Sequence, residues 1–125
     1  MESNPSLTFI LETVPALVSY VGVDERYRFN NDAYARWFGR PATEVVGRHI
    51  REVLGDAVYA AIAPHVRAAL SGERVTFDSG LKYGDGKLRY VRATYVPDVG
   101  EDGRVRGFVA HVADISDLKR ASSSA

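Results

Sequence analysis

The 125-residue sequence contains no cysteine. That excludes disulfides, thiolate metal sites, cysteine nucleophiles and any cysteinyl adduct with a cofactor. Net charge is also missing, because 16 basic residues meet 16 acidic ones. No positive field therefore gathers a polyanion, and neither nucleic acid nor direct membrane contact is expected. No apolar run approaches the roughly 20 residues that cross a bilayer. The start, Met1-Glu2-Ser3-Asn4-Pro5, lacks the basic and apolar stretches of a signal peptide, so a cytoplasmic location is expected. Phosphate-binding glycine loops and Gly-x-Ser-x-Gly elbows do not occur; Gly84-Asp85-Gly86 reads as a hairpin turn. Lysine is scarce, 3 against 13 arginines, and the arginines are spread out rather than gathered in a patch. What the chain does have is apolar material, 46% of it, enough for the core of one domain without metal or disulfide support.

Residues 1–14 read as an amphipathic helix, with Asn4 as cap, Pro5 in the first turn and Leu7, Ile10, Leu11 and Val14 on one stripe. Residues 15–116 hold the core. Val18, Tyr20, Val21 and Val23 mark a strand over 16–24, and Asp24-Glu25-Arg26 turns the chain into a second strand over 27–30. Asn30 or Asn31 is expected to cap a helix carrying Tyr34, Trp37 and Phe38, closed by Gly39. Short helical turns follow over 41–46 and 50–54. The longest helix runs over 56–70, with Pro64 inside it and Ser71-Gly72 as its stop. Three antiparallel strands come last, over 74–83, 87–96 and 105–115, with 97–103 as a polar loop. The carboxylates Asp24, Asp85, Asp98, Glu101 and Asp102 then fall in turns and read as solvated. Residues 117–125 read as the start of a further helix or a disordered tail. Five antiparallel strands covered on one face by helices make an α+β fold.

The chain carries, in order, Pro15-Ala16-Leu17-Val18, Asn30-Asn31, Trp37-Phe38-Gly39 and Thr43-Glu44-Val45-Val46-Gly47-Arg48. Leu70-Ser71-Gly72-Glu73, Asp102-Gly103-Arg104-Val105-Arg106-Gly107 and Asp114-Ile115-Ser116 follow. On these words, over about residues 14–120, it resembles PAS domains of the bacterial sensory-box type. That family commonly ends in Asp-Ile-Thr, from which this chain departs by one methyl group. The resemblance implies a five-stranded sheet cupped around a small ligand or cofactor, and a sensory or docking role in signal transduction. It implies a final strand that hands its state to a following helix, with a histidine kinase or diguanylate cyclase output outside these residues. It also makes Asp114, Ile115 and Ser116 the signalling hinge, with Asp114 pinning the strand end through a hydrogen bond or ion pair.

Flavin photoreceptors of the LOV type carry a reactive cysteine just after the Gly-Arg word, and here Ile50 stands there. A cysteinyl-flavin adduct is excluded, and so is a cysteine-bound coumarate. Haem takes an axial histidine, usually on the long helix. At 100° per residue from Val58, the stripe Ile62, Val66, Tyr59 and Leu70 centres near about 80°, whereas His65 falls near about −20°. Haem is not expected. His49, His65 and His111 show no metal-ligand spacing, so no metal is expected either.

In flavin-binding relatives the residue two before the terminal aspartate faces the ligand, and Val112 holds that position. Alternation then puts Phe108, Ala110 and Val112 inward and His111 outward. Carried through the hairpin, the register points Phe77, Ser79 and Leu81 inward, together with Arg89, Val91, Ala93 and Tyr95. Tyr59, Ile62 and Val66 roof the cup, with Trp37, Ile50 and Leu54 at its sides. Such a lining suits an unidentified small molecule, and equally a cup filled by its own side chains. Tyr90, Thr94, Val96, Val109 and Ala113 make the opposite face apolar enough to need a cover, either the Leu7-Ile10-Leu11-Val14 helix or a second copy in a homodimer. Two other readings stand beside the sensor: a ligand-free PAS dimerisation module, and a small cone-fold isomerase or hydratase. The enzyme reading needs an inward acid in the cup, and the inward positions supply none, so no catalytic residue is assigned.

Overall fold

The structure, a computed structural model, describes residues 16–82 and 87–116. The expected N-terminal helix with Leu7, Ile10, Leu11 and Val14, the turn at Gly84-Asp85-Gly86, and the segment from residue 117 onward lie outside the described residues. Within them run β1 (Ala16–Gly22), β2 (Tyr27–Asn30), α1 (Ala33–Phe38), α2 (Ala42–Val45), α3 (Ile50–Leu54), α4 (Asp56–Leu70), β3 (Val75–Lys82), β4 (Leu88–Val99) and β5 (Val105–Asp114). The five strands form one sheet in the order β2-β1-β5-β4-β3, and every neighbouring pair is antiparallel. The expected α+β architecture is the observed one.

Alternation explains which face is covered. Leu17, Val112, Ala93 and Phe77 pair across four strands in one row, and Ser19, Ala110, Tyr95 and Val75 in the next. Side chains paired in this way share a face. These rows face the helices, and α4 turns Val58, Ile62, Ala63, Val66 and Ala69 toward them. Leu17, Val58, Val66, Val91 and Phe108 are all 1–2% exposed, each worth roughly 1.5–3 kcal/mol of burial. His111 pairs with Val18 and Thr94 on the other face and is exposed, as expected.

Local chemistry sets the element ends. Glu25 turns the β1–β2 hairpin at φ 62°, a left-handed conformation uncommon outside glycine. Gly39 ends α1 at φ 68° and donates its N–H to the Ala35 carbonyl. His49 starts α3 with a reciprocal cap: its Nδ1 accepts from the Arg51 N–H while Glu52 accepts from the His49 N–H. At the far end of α4 the Ser71 hydroxyl donates to the Ala68 carbonyl at 2.7 Å, and the helix runs unbroken across Pro64.

Two expectations are corrected. Neither Asn30 nor Asn31 caps α1: its N-cap is Asp32, which makes no side-chain cap bond. Asn31 is fully buried and instead extends the β1–β2 ladder. Its Oδ1 accepts from the Val18 N–H at 3.1 Å, and its Nδ2 donates to the Ala16 carbonyl at 2.9 Å. The second correction concerns 97–99, expected in a polar loop but found in β4. The β3 pairing stops at Val75–Tyr95, so Pro97 has no ladder bond to lose on that side and is tolerated in the strand.

Candidate functional site

Between the inner sheet face and the helices lies a cavity of about 30 Å³, room for one or two water-sized groups. Of the expected site residues, Ile50, Ile62, Phe77, Val91, Tyr95 and Val112 line it, as do Leu54 and Ala93. Trp37, Tyr59, Val66 and Ser79 are not in the lining, and the Leu81 side chain lies outside the described ones. The lining adds residues that sequence reasoning had not placed there: Leu17, Ser19 and Val21 of β1, Tyr27, Tyr34 and Val58. The β1 residues were legible in the alternation of Ala16–Gly22, and its inward positions had not been carried to the cup.

Ser19 is the unusual one. It is 1% exposed, and its Oγ has no hydrogen-bond partner among the described residues. Its cross-strand neighbour is Asn30, 6% exposed, whose Oδ1 and Nδ2 are also buried and unpartnered. Each orphaned buried polar group costs about 1–3 kcal/mol. Ser19 is in the cavity lining and Asn30 is not, so the serine is the orphan inside the cup and the asparagine adjoins it across the ladder.

A second arrangement sits at the end of β5. The Asp114 carboxylate accepts from the Ser116 N–H at 2.9 Å and lies 3.6 Å from the Arg89 guanidinium. The Ile115 N–H donates to the Tyr90 carbonyl at 2.7 Å, and the Tyr90 N–H donates to the Ser116 hydroxyl at 3.1 Å. Arg89 lies over the Trp37 ring, 4.4 Å from its centre, a cation–π contact. Trp37 thus joins α1 to the strand end instead of walling the cavity. Asp114 does pin the strand end, through both a hydrogen bond and an ion pair.

Other polar groups tie the elements that frame the cup. The Tyr59 hydroxyl donates to the Glu25 carboxylate at 2.5 Å, binding α4 to the β1–β2 turn; that bond, then burial, raises the phenol above its ordinary pKa. His49 packs edge-on against the same ring, at 5.5 Å between centres. Asp98 is not a solvated loop carboxylate: it accepts from the Tyr20 hydroxyl at 2.7 Å. Burial first, and this bond second, raise the Tyr20 phenol. His65 lies flat on Phe77, 3.8 Å between ring centres, and Phe77 continues edge-to-face onto Tyr95 at 5.3 Å. Among the described residues no group of three or more His, Asp or Glu side chains is placed to hold a metal ion. No helix among them is long and apolar enough to cross a membrane.

A family model described as the PAS fold matches residues 11–120. A curated relative, a blue-light-activated histidine kinase of Rhizobium johnstonii, is 32% identical over 91 residues, covering 72% of this chain and 26% of the kinase. The chain thus matches about a quarter of that relative's length. Among solved structures, the PAS domain of Bordetella pertussis BvgS superposes with a TM-score of 0.71 at 25% identity, covering 97% of this chain and 96% of that one. The VqmA–ligand–DNA complex of Vibrio cholerae gives 0.76 at 19% identity, covering 93% of this chain and 53% of that one.

Proposed function

Because the chain belongs to the PAS family, a family of sensory modules, we propose that it senses a small ligand held in the cup and relays occupancy through β5 to an output module. The observation that carries this reading is shared walls. Val112 and Val91 line the cavity, and two residues beyond Val112 stands Asp114, paired with Val91 across the ladder and clamped by Arg89 and the Ser116 N–H. A ligand that prefers one setting of these strands shifts the population of the clamp, which is how a bound molecule becomes a signal. The kinase relative and the ligand-bearing VqmA complex support this setting. The output is a histidine kinase or a diguanylate cyclase, and the chain itself is a binding module rather than an enzyme. Light activation is stated of the kinase alone; with no cysteine, this chain has no thiol for a flavin adduct.

A second reading rests on the small cavity. At about 30 Å³ the cup is nearly filled, far below the roughly 300–1,000 Å³ of ordinary small-molecule sites. In that reading the module is a homodimer wedge. Its contact is the row Val96, Val109, Tyr20 and Phe29, one residue from each of four strands on the outer face. Three of them, Val96, Val109 and Phe29, are 37–40% exposed.

Native mass spectrometry and an absorption spectrum of the gently purified chain separate the two. A bound small molecule is the expected result. A mass equal to the polypeptide in every preparation, with an intact dimer, would leave the wedge. A Soret band would bring in haem against expectation.

A further inference from the structure

We infer that the cup selects a neutral head group carrying a hydrogen-bond donor beside an acceptor, as a primary carboxamide does, and that Ser19 and Asn30 are its recognition pair. This rests on the sensor reading and names the ligand class for that site. Ser19 lines the cavity, and its buried Oγ has no partner among the described residues. Asn30 stands opposite it on the edge strand, on the same face and outside the cavity lining, with acceptor Oδ1 and donor Nδ2 both unpartnered among the described residues. The two side chains do not satisfy each other. A carboxamide meets the asparagine with one donated and one accepted bond and leaves a lone pair or proton for the serine.

The rest of the lining sets the limits. Leu17, Val21, Ile62 and Phe108 offer nothing to a charge, so burying a carboxylate or ammonium there carries its full desolvation cost. Arg89, the inward cation, is committed to Asp114 and Trp37 at the strand end. A carboxamide has three heavy atoms and exceeds the room for one or two water-sized groups, so even the head group enters only as the half-buried Leu54, Phe77 and Val112 part.

The test uses the whole 125-residue chain, titrated with acetamide, acetate and xenon while amide shifts are followed by NMR. Acetamide is expected to shift the amides of Ser19, Asn30 and Ala110, xenon to shift the apolar lining, and acetate to shift neither. Ser19→Ala weakens acetamide by about tenfold through one lost bond, and Asn30→Leu by about a hundredfold through two, with xenon binding unchanged. Asn30→Leu serves as the independent arm should Ser19→Ala fold poorly. If xenon and acetamide both enter but neither variant alters their ranking, the recognition pair is wrong and the cup remains a binding site. If acetamide fails to displace a buried water bridging Ser19 and Asn30 while xenon binds, the pair is a water site and the inference falls. If neither probe enters, the sensor reading falls with it.

Discussion

Replacing Asn31 with alanine is expected to be the costliest single polar truncation among the described residues. Asn31 has no solvent exposure, and its side chain satisfies the Val18 N–H and the Ala16 carbonyl. Alanine leaves the buried Ala16 carbonyl and the half-buried Val18 N–H without this partner. At about 1–3 kcal/mol for each orphan, the loss centres on about 4 kcal/mol. For a chain of this length that corresponds to a melting temperature lowered by roughly 15 °C. Asn31→Asp sharpens the test. It keeps an acceptor for Val18 but turns a carboxylate toward the Ala16 carbonyl, so its carboxyl pKa rises on folding. Stability of that variant therefore recovers as pH falls and the protonated acid donates to Ala16. The assay is thermal melting followed by circular dichroism at pH 7 and pH 4, each variant against the wild type at the same pH. A shift under about 3 °C for Asn31→Ala would refute the clamp, as would an Asn31→Asp deficit independent of pH.

Three further outcomes follow from the same geometry. Asp114→Ala removes the acceptor of the Ser116 N–H and the partner of Arg89 at a partly exposed site; melting should fall by less than about 5 °C, while hydrogen exchange at the Ser116 amide speeds up about tenfold, and unchanged exchange would show that the clamp is not closed. The Tyr20 and Tyr59 phenols have folded-state pKa values raised above the ordinary 10.0, so the stability they contribute is full below about pH 10 and is lost as pH rises through the folded values; alkaline melting curves of Tyr20→Phe and Tyr59→Phe should flatten relative to wild type, and parallel curves would contradict this. Val109→Lys places a charge in the middle of the outer apolar row; if that row is the homodimer contact of the second reading, sedimentation equilibrium of the wild type shows a dimer that this variant weakens, and a monomeric wild type or an unaltered association constant would contradict it.

Most of the fold was legible because alternation and helical spacing agree along the chain. Val91, Ala93, Tyr95, Phe108, Ala110 and Val112 face the helices as their period of two requires. Sequence reasoning failed where a side chain does something its type does not announce. An asparagine before a helix reads as a cap, yet Asn31 serves the preceding strand because β2 is too short to satisfy β1 beyond Ser19. Proline reads as a strand breaker, yet Pro97 sits where β4 has already outrun β3. Trp37 has the size of a pocket wall, and its place under Arg89 depends on a tertiary contact with no local signature. Ser19 was hidden by its chemistry: a lone serine in an apolar strand carries no sign that its hydroxyl is left without a partner.

The central claim is that the state of the cup reaches the clamp at the end of β5. Ala110→Val fills the cavity from β5 without any ligand, and the measurement is the amide spectrum of the ¹⁵N-labelled chain beside wild type. Coupling predicts shifts at Ile115 and Ser116 and at the Arg89 side chain, as well as at the cavity wall. Shifts confined to residues lining the cavity, with the clamp signals unmoved, would contradict it.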